Sequence, residues 1–363
     1  MNIKVSAYEV LGSPFVMLEA VKEAEFLVNR ERQKQVHLDL AYFFIEADAE
    51  ASCVLRRELN ARGYGALFDE SVFLANARFQ DRAPGIIDFV RKRSQRAARA
   101  IFLLDQYGYS EVPTGLIRTI LASLPGTEII LTFAVDSFLN YASDSPVTRK
   151  LLDRVGLPEL LRGRSIDELK RSDRLWRLFI QSCLYKDLVG ACGSTFYTPF
   201  FIRSAKGHGD YWLIHLSQHH RARDVMTRIH WEKNNYFIHY GDAGLDMFHM
   251  LGYVPKYDNA YTGQGELDFC FDDPARQKSI GALKDQIPHL IYAHLDGISF
   301  GELFARTCND SPASAEIYRE AVGALLQERD VEVVSPDGVV RRSAAQIHDK
   351  DQIIPPRQRK LFV

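Results

Sequence analysis

A β-α-β unit whose boundaries are marked by proline and glycine is the feature of this sequence that constrains the fold most. Residues 101–105 read Ile-Phe-Leu-Leu-Asp, an apolar run without alternation, which is typical of a strand buried on both faces of a parallel sheet. Pro113 opens the following helix, Pro125 and Gly126 close it, and residues 127–134 form a second apolar strand. The sequence therefore predicts an α/β fold.

Three polar residues follow the first of these strands at its carboxyl end, where open α/β sheets bind their ligands. They are Asp105, Gln106 and Tyr107. In enzymes that methylate exocyclic amino groups, a turn at this place sets an acceptor against the amine and an aromatic ring against the flipped base. Asp105 would accept the amine hydrogen, the backbone carbonyl near Gln106 could share it, and Tyr107 would stack on the base. Alternatively, Asp105 caps the loop and Tyr107 packs in the core.

Acidic residues also end an earlier apolar strand. The strand at residues 38–48 carries Glu46 and Asp48 at its carboxyl end, directly before a predicted helix. A carboxylate at this place can accept two hydrogen bonds from a ribose diol, as in many nucleotide-binding sheets. The alternative is that both acids only cap the next helix. Asn76, just beyond a weaker strand at 71–74, would lie near the adenine.

Two further strands are predicted to form a hairpin. They occupy residues 195–203 and 211–216, and the short turn at 207–209 allows only an antiparallel connection. A series of β-α units finished by a hairpin is the signature of the class I methyltransferase sheet, in which the last strand inserts antiparallel into a parallel array. We therefore expect residues 1–235 to form a Rossmann-like sheet of this class, followed by a connecting region at 236–274.

The last part of the chain, residues 275–363, contains the elements of a winged helix-turn-helix domain. Helices are predicted at 288–295, after a capping box that begins at Ser299, and at 314–327. Residues 331–340 then alternate across a Pro-Asp-Gly turn, which predicts a hairpin or wing.

Positive charge is concentrated at the end of this domain. Between residues 339 and 363, six basic side chains stand against two acids, Asp349 and Asp351. The six are Arg341, Arg342, Lys350, Arg357, Arg359 and Lys360. They fit phosphate contacts to nucleic acid, whereas Glu316 and Glu320 lie near the start of the third helix, where base contacts would be made. The domain could therefore bind DNA or RNA or, as many winged helices do, another protein.

The composition of the whole chain restricts these interpretations. A formal net charge of -2 gives no general attraction to nucleic acid or membrane, so either would have to be bound by a local patch. No apolar run approaches the roughly 18 residues that span a bilayer, and the start lacks a signal-peptide core. Five scattered cysteines indicate reduced thiols in a cytoplasm. His219 and His220 do not complete a metal-ligand pattern, and no clustered carboxylates indicate phosphodiester cleavage.

The order and spacing of these motifs resemble the three-Cys-motif partner proteins. The resemblance is carried by Gly12-Ser-Pro14, Phe43-Phe-Ile-Glu46, the segment from Leu103 to Gly108, Val112-Pro113, the strand that begins at Thr127 and the winged helix. It implies a class I methyltransferase-like fold and, as a possible cofactor, S-adenosylmethionine. It also implies a partner, a cysteine-motif protein that resembles radical SAM enzymes. The cofactor-binding residues would then be Gly12, Glu46, Asp48 and Asn76.

Two departures accompany the resemblance. Gln106 stands where the family usually has proline. The family also places a first strand with an acidic, glycine-containing turn before the segment at Gly12, whereas this chain begins at Met1, so we expect that turn to be missing. Two hypotheses follow: a methyltransferase-like enzyme that acts on nucleic acid or on a partner's substrate, or a non-catalytic module that recruits the cysteine-motif partner to DNA.

Overall fold

The computed structural model describes residues 12–94, 99–106, 111–160, 163–172, 176–203, 210–233, 236–238, 243–245, 268–294 and 296–356. The chain divides into two compact units, Met1–Ile86 and Ile87–Val363. Among the helices of the described residues, none combines the length and the apolar character needed to cross a membrane.

The first unit contains a two-stranded parallel sheet packed against helices. Its elements are α1 (Ser13–Asn29), β1 (Tyr42–Glu46), α2 (Ala49–Ala61), a 3₁₀ turn (Tyr64–Leu67) and β2 (Val72–Asn76). Tyr42 lies opposite Val72 and Glu46 lies opposite Asn76, so both strands end at the same edge. The apolar core of this unit is formed by Phe15, Leu18, Phe44, Leu59, Tyr64 and Val72.

The second unit is built on a four-stranded mixed sheet. Helix α3 (Phe79–Arg93) leads into it, and its strands are β3 (Ala100–Leu104), β4 (Thr127–Phe133), β5 (Phe196–Arg203) and β6 (Asp210–Ser217). The strand order is β3-β4-β6-β5. Strands β3 and β4 are parallel, whereas β6 is antiparallel to both of its neighbours. The predicted antiparallel hairpin is confirmed, and its second strand inserts between β4 and β5.

Helices surround this sheet and lead toward the C-terminal part of the chain. They are α4 (Thr114–Ser123), α5 (Val135–Tyr141), α6 (Pro146–Val155), α7 (Ile166–Ser172), α8 (Trp176–Cys192) and α9 (His220–Glu232). Within the predicted connecting region, the short strands β7 (Tyr236–Ile238) and β8 (Asp268–Cys270) pair antiparallel. This region lies inside the second compact unit.

The C-terminal part of the second unit is a winged helix. Its elements in chain order are α10 (Asp273–Ala293), β9 (Ile298–Ser299), α11 (Phe300–Thr307), α12 (Ala315–Glu328), β10 (Glu332–Val334) and β11 (Gln352–Ile354). The strands pair antiparallel in the order β10-β11-β9. One apolar core joins the helices and strands and includes the buried side chains of Leu283, Phe300, Tyr318, Val333 and Ile353.

The first helix of this domain is longer than predicted. The sequence placed its start at Pro288, because proline favours the first turn of a helix. Helix α10 begins instead at Asp273, where the carboxylate of Asp272 accepts the backbone N–H of Ala275 at 2.9 Å, and Pro288 lies inside the helix. Buried residues recur at helical spacing before and after the proline. Packing of this stripe therefore outweighs the hydrogen bond that proline removes.

The predicted hairpin at 331–340 is a small part of a larger loop. Val334 and Val340 form a single antiparallel bridge, around a turn in which Gly338 N–H donates to the Ser335 carbonyl at 2.9 Å. The continuous partner of β10 is β11. Residues 335–351, between these two strands, are named the wing below.

Candidate functional site

A buried carboxylate holds the wing in shape. Asp351 is 1% exposed and accepts two hydrogen bonds from Arg341, at 2.8 Å from Nε and 3.1 Å from Nη2. It also accepts the backbone N–H of His348 at 2.9 Å. Burial by itself would raise the pKa of Asp351, but these hydrogen bonds and the positive charge of Arg341 hold that pKa below its ordinary value. Arg341 therefore stabilises the wing, and its contact with phosphate stays a prediction.

Two other predicted cations lie on the surface of the wing. Arg342 and Lys350 are exposed and have no ion-pair partner among the residues that the structure describes. Val339 and Val340 are 57% and 55% exposed, and the turn carries one exposed acid, Asp337. The remaining predicted cations, Arg357, Arg359 and Lys360, lie outside the described residues. The two described cations have their charge available for an anionic partner.

Carboxylates of α12 form ion pairs with basic side chains of α10. Arg276 forms ion pairs with Glu316 at 3.1 Å and with Glu320 at 2.6 Å. Further along the same helix, Lys284 pairs with Glu328. In helix-turn-helix proteins that read DNA, the helix at this position presents side chains to the bases of the major groove. Carboxylates at the start and end of α12 disfavour that mode because ionised carboxylates only accept hydrogen bonds and so have no donor for a phosphate oxygen.

Helix α9 covers the first turn of α12. Arg223 of α9 is fully buried, and its guanidinium donates to the carbonyl of Ala313 at 2.9 Å and to the carbonyl of Ser311. The neighbouring Asp224 accepts the backbone N–H of Ala315, the first residue of α12, at 2.7 Å. The two partners of each hydrogen bond are 88 to 91 positions apart in the chain.

The role of α9 in this contact was not predicted from the sequence. The buried residues of the helix are Arg223, Thr227 and His230, whose spacing of four and three positions places them on one face. An arginine on the inward stripe of an amphipathic helix is the signal that could have indicated a buried, hydrogen-bonded guanidinium. His219, which completes no metal-ligand pattern in the sequence, accepts the N–H of Arg221 at 3.1 Å and caps the helix.

Asp105 and Gln106 follow β3 at the edge where β3 and β4 end. Asp105 is exposed and accepts the hydroxyl hydrogen of Thr132 at 3.1 Å. Gln106 is 7% exposed; its Nε2 donates to the Thr132 carbonyl at 3.0 Å, and its Oε1 accepts two backbone N–H groups at 3.0 and 3.1 Å. Gln106 therefore fixes the loop to β4, and the Asp105 carboxylate has further acceptor capacity. Tyr107 lies outside the described residues.

In the first unit, Glu46, Asp48 and Asn76 meet at the carboxyl edge of the parallel strand pair. Glu46 Oε1 accepts the backbone N–H of Asp48 at 2.9 Å, and Asp48 caps α2 by accepting the N–H of Ala51 at 2.7 Å. Asn76 Nδ2 donates to the carbonyls of Glu46 and Ala47 at 2.9 and 3.1 Å. The capping interpretation therefore describes Asp48.

Among these side chains, Glu46 is the one that could accept hydrogen bonds from the ribose of a nucleotide cofactor. A carboxylate has about four acceptor positions, so Glu46 retains capacity for a diol beyond its bond to the loop. The amide nitrogen of Asn76 is engaged with the loop, and Gly12 precedes α1, where its carbonyl accepts the N–H groups of Phe15 and Val16 at 3.0 and 3.2 Å. The cofactor roles of all these residues stay predictions.

No group of three or more His, Cys, Asp or Glu side chains in the described ranges is arranged to hold a metal ion. The exposed cations of the wing and the carboxyl-edge acids differ in what they can bind. The first can attract an anionic polymer, and the second can accept hydrogen bonds.

Comparison with known proteins supports the winged helix. A family model described as a GMT-like wHTH domain matches residues 256–338, a range that includes α10, α11 and α12 and ends within the wing. No curated protein matches the chain. The matched range agrees with the order of helices and strands, so the C-terminal part of this protein is a winged helix-turn-helix domain, a fold that commonly binds DNA.

Proposed function

We propose that this protein binds duplex nucleic acid through the wing of its C-terminal domain. The observation that carries the proposal is that two cations of the wing, Arg342 and Lys350, are exposed and have no ion-pair partner among the described residues. The domain type supports it, since winged helices commonly bind DNA. The cations Arg357, Arg359 and Lys360 follow β11 in the sequence and would extend the same basic stretch.

Titration of a short fluorescent DNA duplex with the whole chain tests this proposal. We expect binding that weakens steeply with salt, and a double variant, Arg342→Gln with Lys350→Gln, that binds less tightly. Each phosphate contact contributes about 0.9 to the slope of log affinity against log salt, so the double variant should lose about 1.8. The control Arg228→Gln changes a half-exposed cation on α9 and should leave the slope unchanged. Absence of binding by the parent chain at low salt would contradict the proposal.

A second candidate function is methyl transfer from S-adenosylmethionine to an amino group of nucleic acid. Three observations favour it: β6 is antiparallel between β4 and β5, the strand pair β1 and β2 ends in Glu46 and Asn76, and Asp105 follows β3. An antiparallel last strand inserted beside parallel strands is also a feature of the class I methyltransferase sheet, and open α/β sheets bind their ligands at the carboxyl ends of the strands. The cofactor, when bound, supplies the methyl group.

In this second proposal the roles of the side chains differ. Glu46 accepts the ribose hydroxyls, while Asp48 and Asn76 order the loop around it and Gly12 marks the start of α1. Asp105 accepts a hydrogen from the target amine, and Tyr107 stacks on the base. Thr132 holds Asp105 by a hydrogen bond and so orients its carboxylate.

Calorimetric titration with S-adenosylmethionine, followed by methyl-transfer assays on DNA and RNA, tests the second proposal. Glu46→Gln should weaken cofactor binding, because an amide accepts fewer hydrogen bonds than a carboxylate. Asp105→Asn should preserve binding and lower transfer. Glu50→Gln, an exposed change in the first turn of α2, is the matched control. A parent chain that neither binds the cofactor nor transfers a methyl group would contradict this candidate.

The resemblance stated above adds a partner to both proposals. We propose that the chain works with a three-Cys-motif protein, either as its methyltransferase-like component or as a non-catalytic module that recruits it to DNA. Gel filtration of the two purified proteins, alone and mixed, tests the association. Methyl transfer by the mixture supports the enzymatic form, and a complex that binds DNA without transfer supports the recruiting form. Two proteins that elute separately would contradict the partnership.

A further inference from the structure

We propose that the winged helix contacts the phosphate backbone of duplex nucleic acid without reading its base sequence, because α9 occupies the place at which α12 would enter the major groove. The inference rests on the proposed nucleic-acid binding and specifies its ligand class. Helix-turn-helix proteins that read sequence place the N-terminal residues of the recognition helix against base edges. By its position in the order of helices, α12 is the recognition helix of this domain.

The segment that leads into α12, and the first residue of the helix, are buried inside the protein. Ser311 and Ala313 are fully buried, Ser314 is 3% exposed and Ala315 is 7% exposed. The carbonyls of Ser311 and Ala313 accept hydrogen bonds from Arg223. These residues cannot approach a base edge while α9 is in place.

Two further hydrogen bonds join α9 to the start of α12, and one ring contact joins α9 to α11. Asp224 accepts the N–H of Ala315 at 2.7 Å, which satisfies a backbone donor that a phosphate would otherwise be able to bind. Trp231 Nε1 donates to the carbonyl of Pro312 at 2.9 Å. The ring of His220, at the start of α9, contacts the ring of Phe304 edge to face with centroids 6.2 Å apart.

Strand β5 holds the turn between α11 and α12 from a second direction. Asn309 in that turn accepts the N–H of Tyr197 at 3.2 Å and donates to the carbonyl of Thr195 at 2.8 Å. The turn is therefore hydrogen-bonded to the sheet as well as to α9. Release of α12 would break all of these bonds together and leave buried carbonyls without donors.

The charged side chains in the first half of α12 are already engaged in ion pairs. Glu316 is exposed and Glu320 half-buried, and both are paired with Arg276. Arg319 is directed to the wing, where it pairs with Asp349 at 3.0 Å and lies over the ring of Phe300. A carboxylate surface with its arginine already engaged disfavours contact with either bases or phosphates of a duplex.

The wing carries exposed cations that can contact phosphate. Arg342 and Lys350 are exposed there, whereas Arg341 is committed to Asp351. Contacts of arginine and lysine to phosphate position a protein on a duplex but carry no direct sequence information. The wing therefore suits a duplex whose phosphates are regularly spaced. The affinity for the duplex should depend on the salt concentration and on the length of the duplex more than on its base sequence.

A competition experiment with the whole chain tests this inference. Duplexes of equal length with mixed, A·T-rich and G·C-rich sequences compete for the protein at one salt concentration, and we expect affinities within about threefold of one another. Proteins that read sequence bind their sites typically 10³-fold or more tighter than other DNA. Arg342→Gln with Lys350→Gln should weaken all duplexes by the same factor, and Glu316→Gln should leave their ranking unchanged.

Hydrogen exchange of the segment 311–318 supplies the second measurement. Its amides, including that of Ala315, should be equally protected with and without DNA if α9 stays in place. A strong preference for one sequence that Glu316→Gln alters, or loss of this protection on binding, would overturn the inference while leaving nucleic-acid binding intact. Absence of binding to every duplex would instead remove the proposed function, so the two failures are distinguishable.

Discussion

Arg223 is the residue on which the contact between α9 and α12 depends most. We expect Arg223→Met to lower the free energy of unfolding by about 2–6 kcal/mol, because two buried carbonyls lose their donors and each unsatisfied group costs about 1–3 kcal/mol. Both carbonyls, those of Ser311 and Ala313, belong to residues that are fully buried. Urea unfolding followed by tryptophan fluorescence measures the change.

Arg228→Met is the matched control for this prediction. Arg228 lies on the same helix, and its side chain is 48% exposed in an ion pair with Asp224 at 3.5 Å. Exposed pairs of this kind contribute about 0–1 kcal/mol, so the control should lose little. Similar losses in the two variants would show that the buried hydrogen bonds of Arg223 contribute no special stability.

Residue positions were predictable from the sequence where the information is local. Glu46, Asn76 and Asp105 lie at strand ends as expected, because an apolar run followed by a polar residue marks the end of a strand. Arg341 and Arg342 are adjacent and could not be distinguished by pattern. The buried partner of Arg341 is ten residues away, and burial of that partner is set by the fold of the wing. The chemical roles at the strand ends stay predictions.

At the scale of elements, α9 carries a histidine that makes its packing sensitive to acid. The His230 ring is 3% exposed and stacks between Phe200 and Phe271, with centroid distances of 4.9 and 5.6 Å. Burial, followed by the nearby charges of Arg223 and His215, lowers the pKa of His230 to about 4. The folded protein therefore disfavours the protonated ring, whereas an unfolded histidine titrates near 6.5.

This shift predicts a loss of stability as the pH falls. Between about pH 6.5 and 4 the unfolded chain binds the proton that the folded chain does not, so the stability present above 6.5 decreases by about 1.4 kcal/mol for each pH unit. His230→Phe should reduce this slope while retaining the stacking. His289→Phe, at an exposed position of α10, should not. Unfolding curves at several pH values measure the slopes, and an unchanged slope in His230→Phe would contradict the assignment.

Helix α12 packs so closely against the wing that one added methyl group should change the stability of the protein. A Cβ at Gly323 would lie 2.6 Å from the Ala344 Cβ and 3.1 Å from its Cα and N atoms. We expect Gly323→Ala to destabilise the protein by about 1–3 kcal/mol because of this overlap. Gly281→Ala in α10 meets nothing within 4 Å and should stabilise by about 0.5–1 kcal/mol, since alanine favours helices. Thermal unfolding of both variants checks the opposite signs; the same sign in both would contradict the packing.

Elements were more predictable than their contacts. The apolar runs in the sequence predicted β3, β4 and the hairpin of β5 with β6, and the capping box at Ser299 predicted α11. The structure contains all of these elements. Pro288 misled the prediction of α10 because a favoured first-turn residue also occurs within a helix when packing supports it. The contact of α9 with α12 was not predictable, because it connects residues about 90 positions apart and no local pattern encodes such a pairing.

At the scale of the whole molecule, the winged helix and the mixed sheet belong to one compact unit, Ile87–Val363. The sequence indicated an α/β part, a connecting region at 236–274 and a C-terminal winged helix. It did not indicate that β5 and α9 form hydrogen bonds with the winged helix, through Asn309 and Arg223 among others. A winged helix bound in this way differs from a domain on a flexible linker, because its wing is held in a fixed orientation to the sheet.

This organisation predicts which fragment retains nucleic-acid binding. The division between the units falls within α3, so a fragment should begin at Phe79 to keep that helix whole. We expect residues 79–363 to unfold cooperatively and to bind the duplex as the whole chain does.

A shorter fragment, 236–363, lacks β5 and α9. It should be less stable, because the carbonyls of Ser311 and Ala313 and the donor of Ala315 lose their partners. Circular dichroism melts and the duplex titration compare the fragments. A shorter fragment as stable as the longer one would show that the sheet and α9 are separable from the winged helix, and that α12 is free to approach DNA.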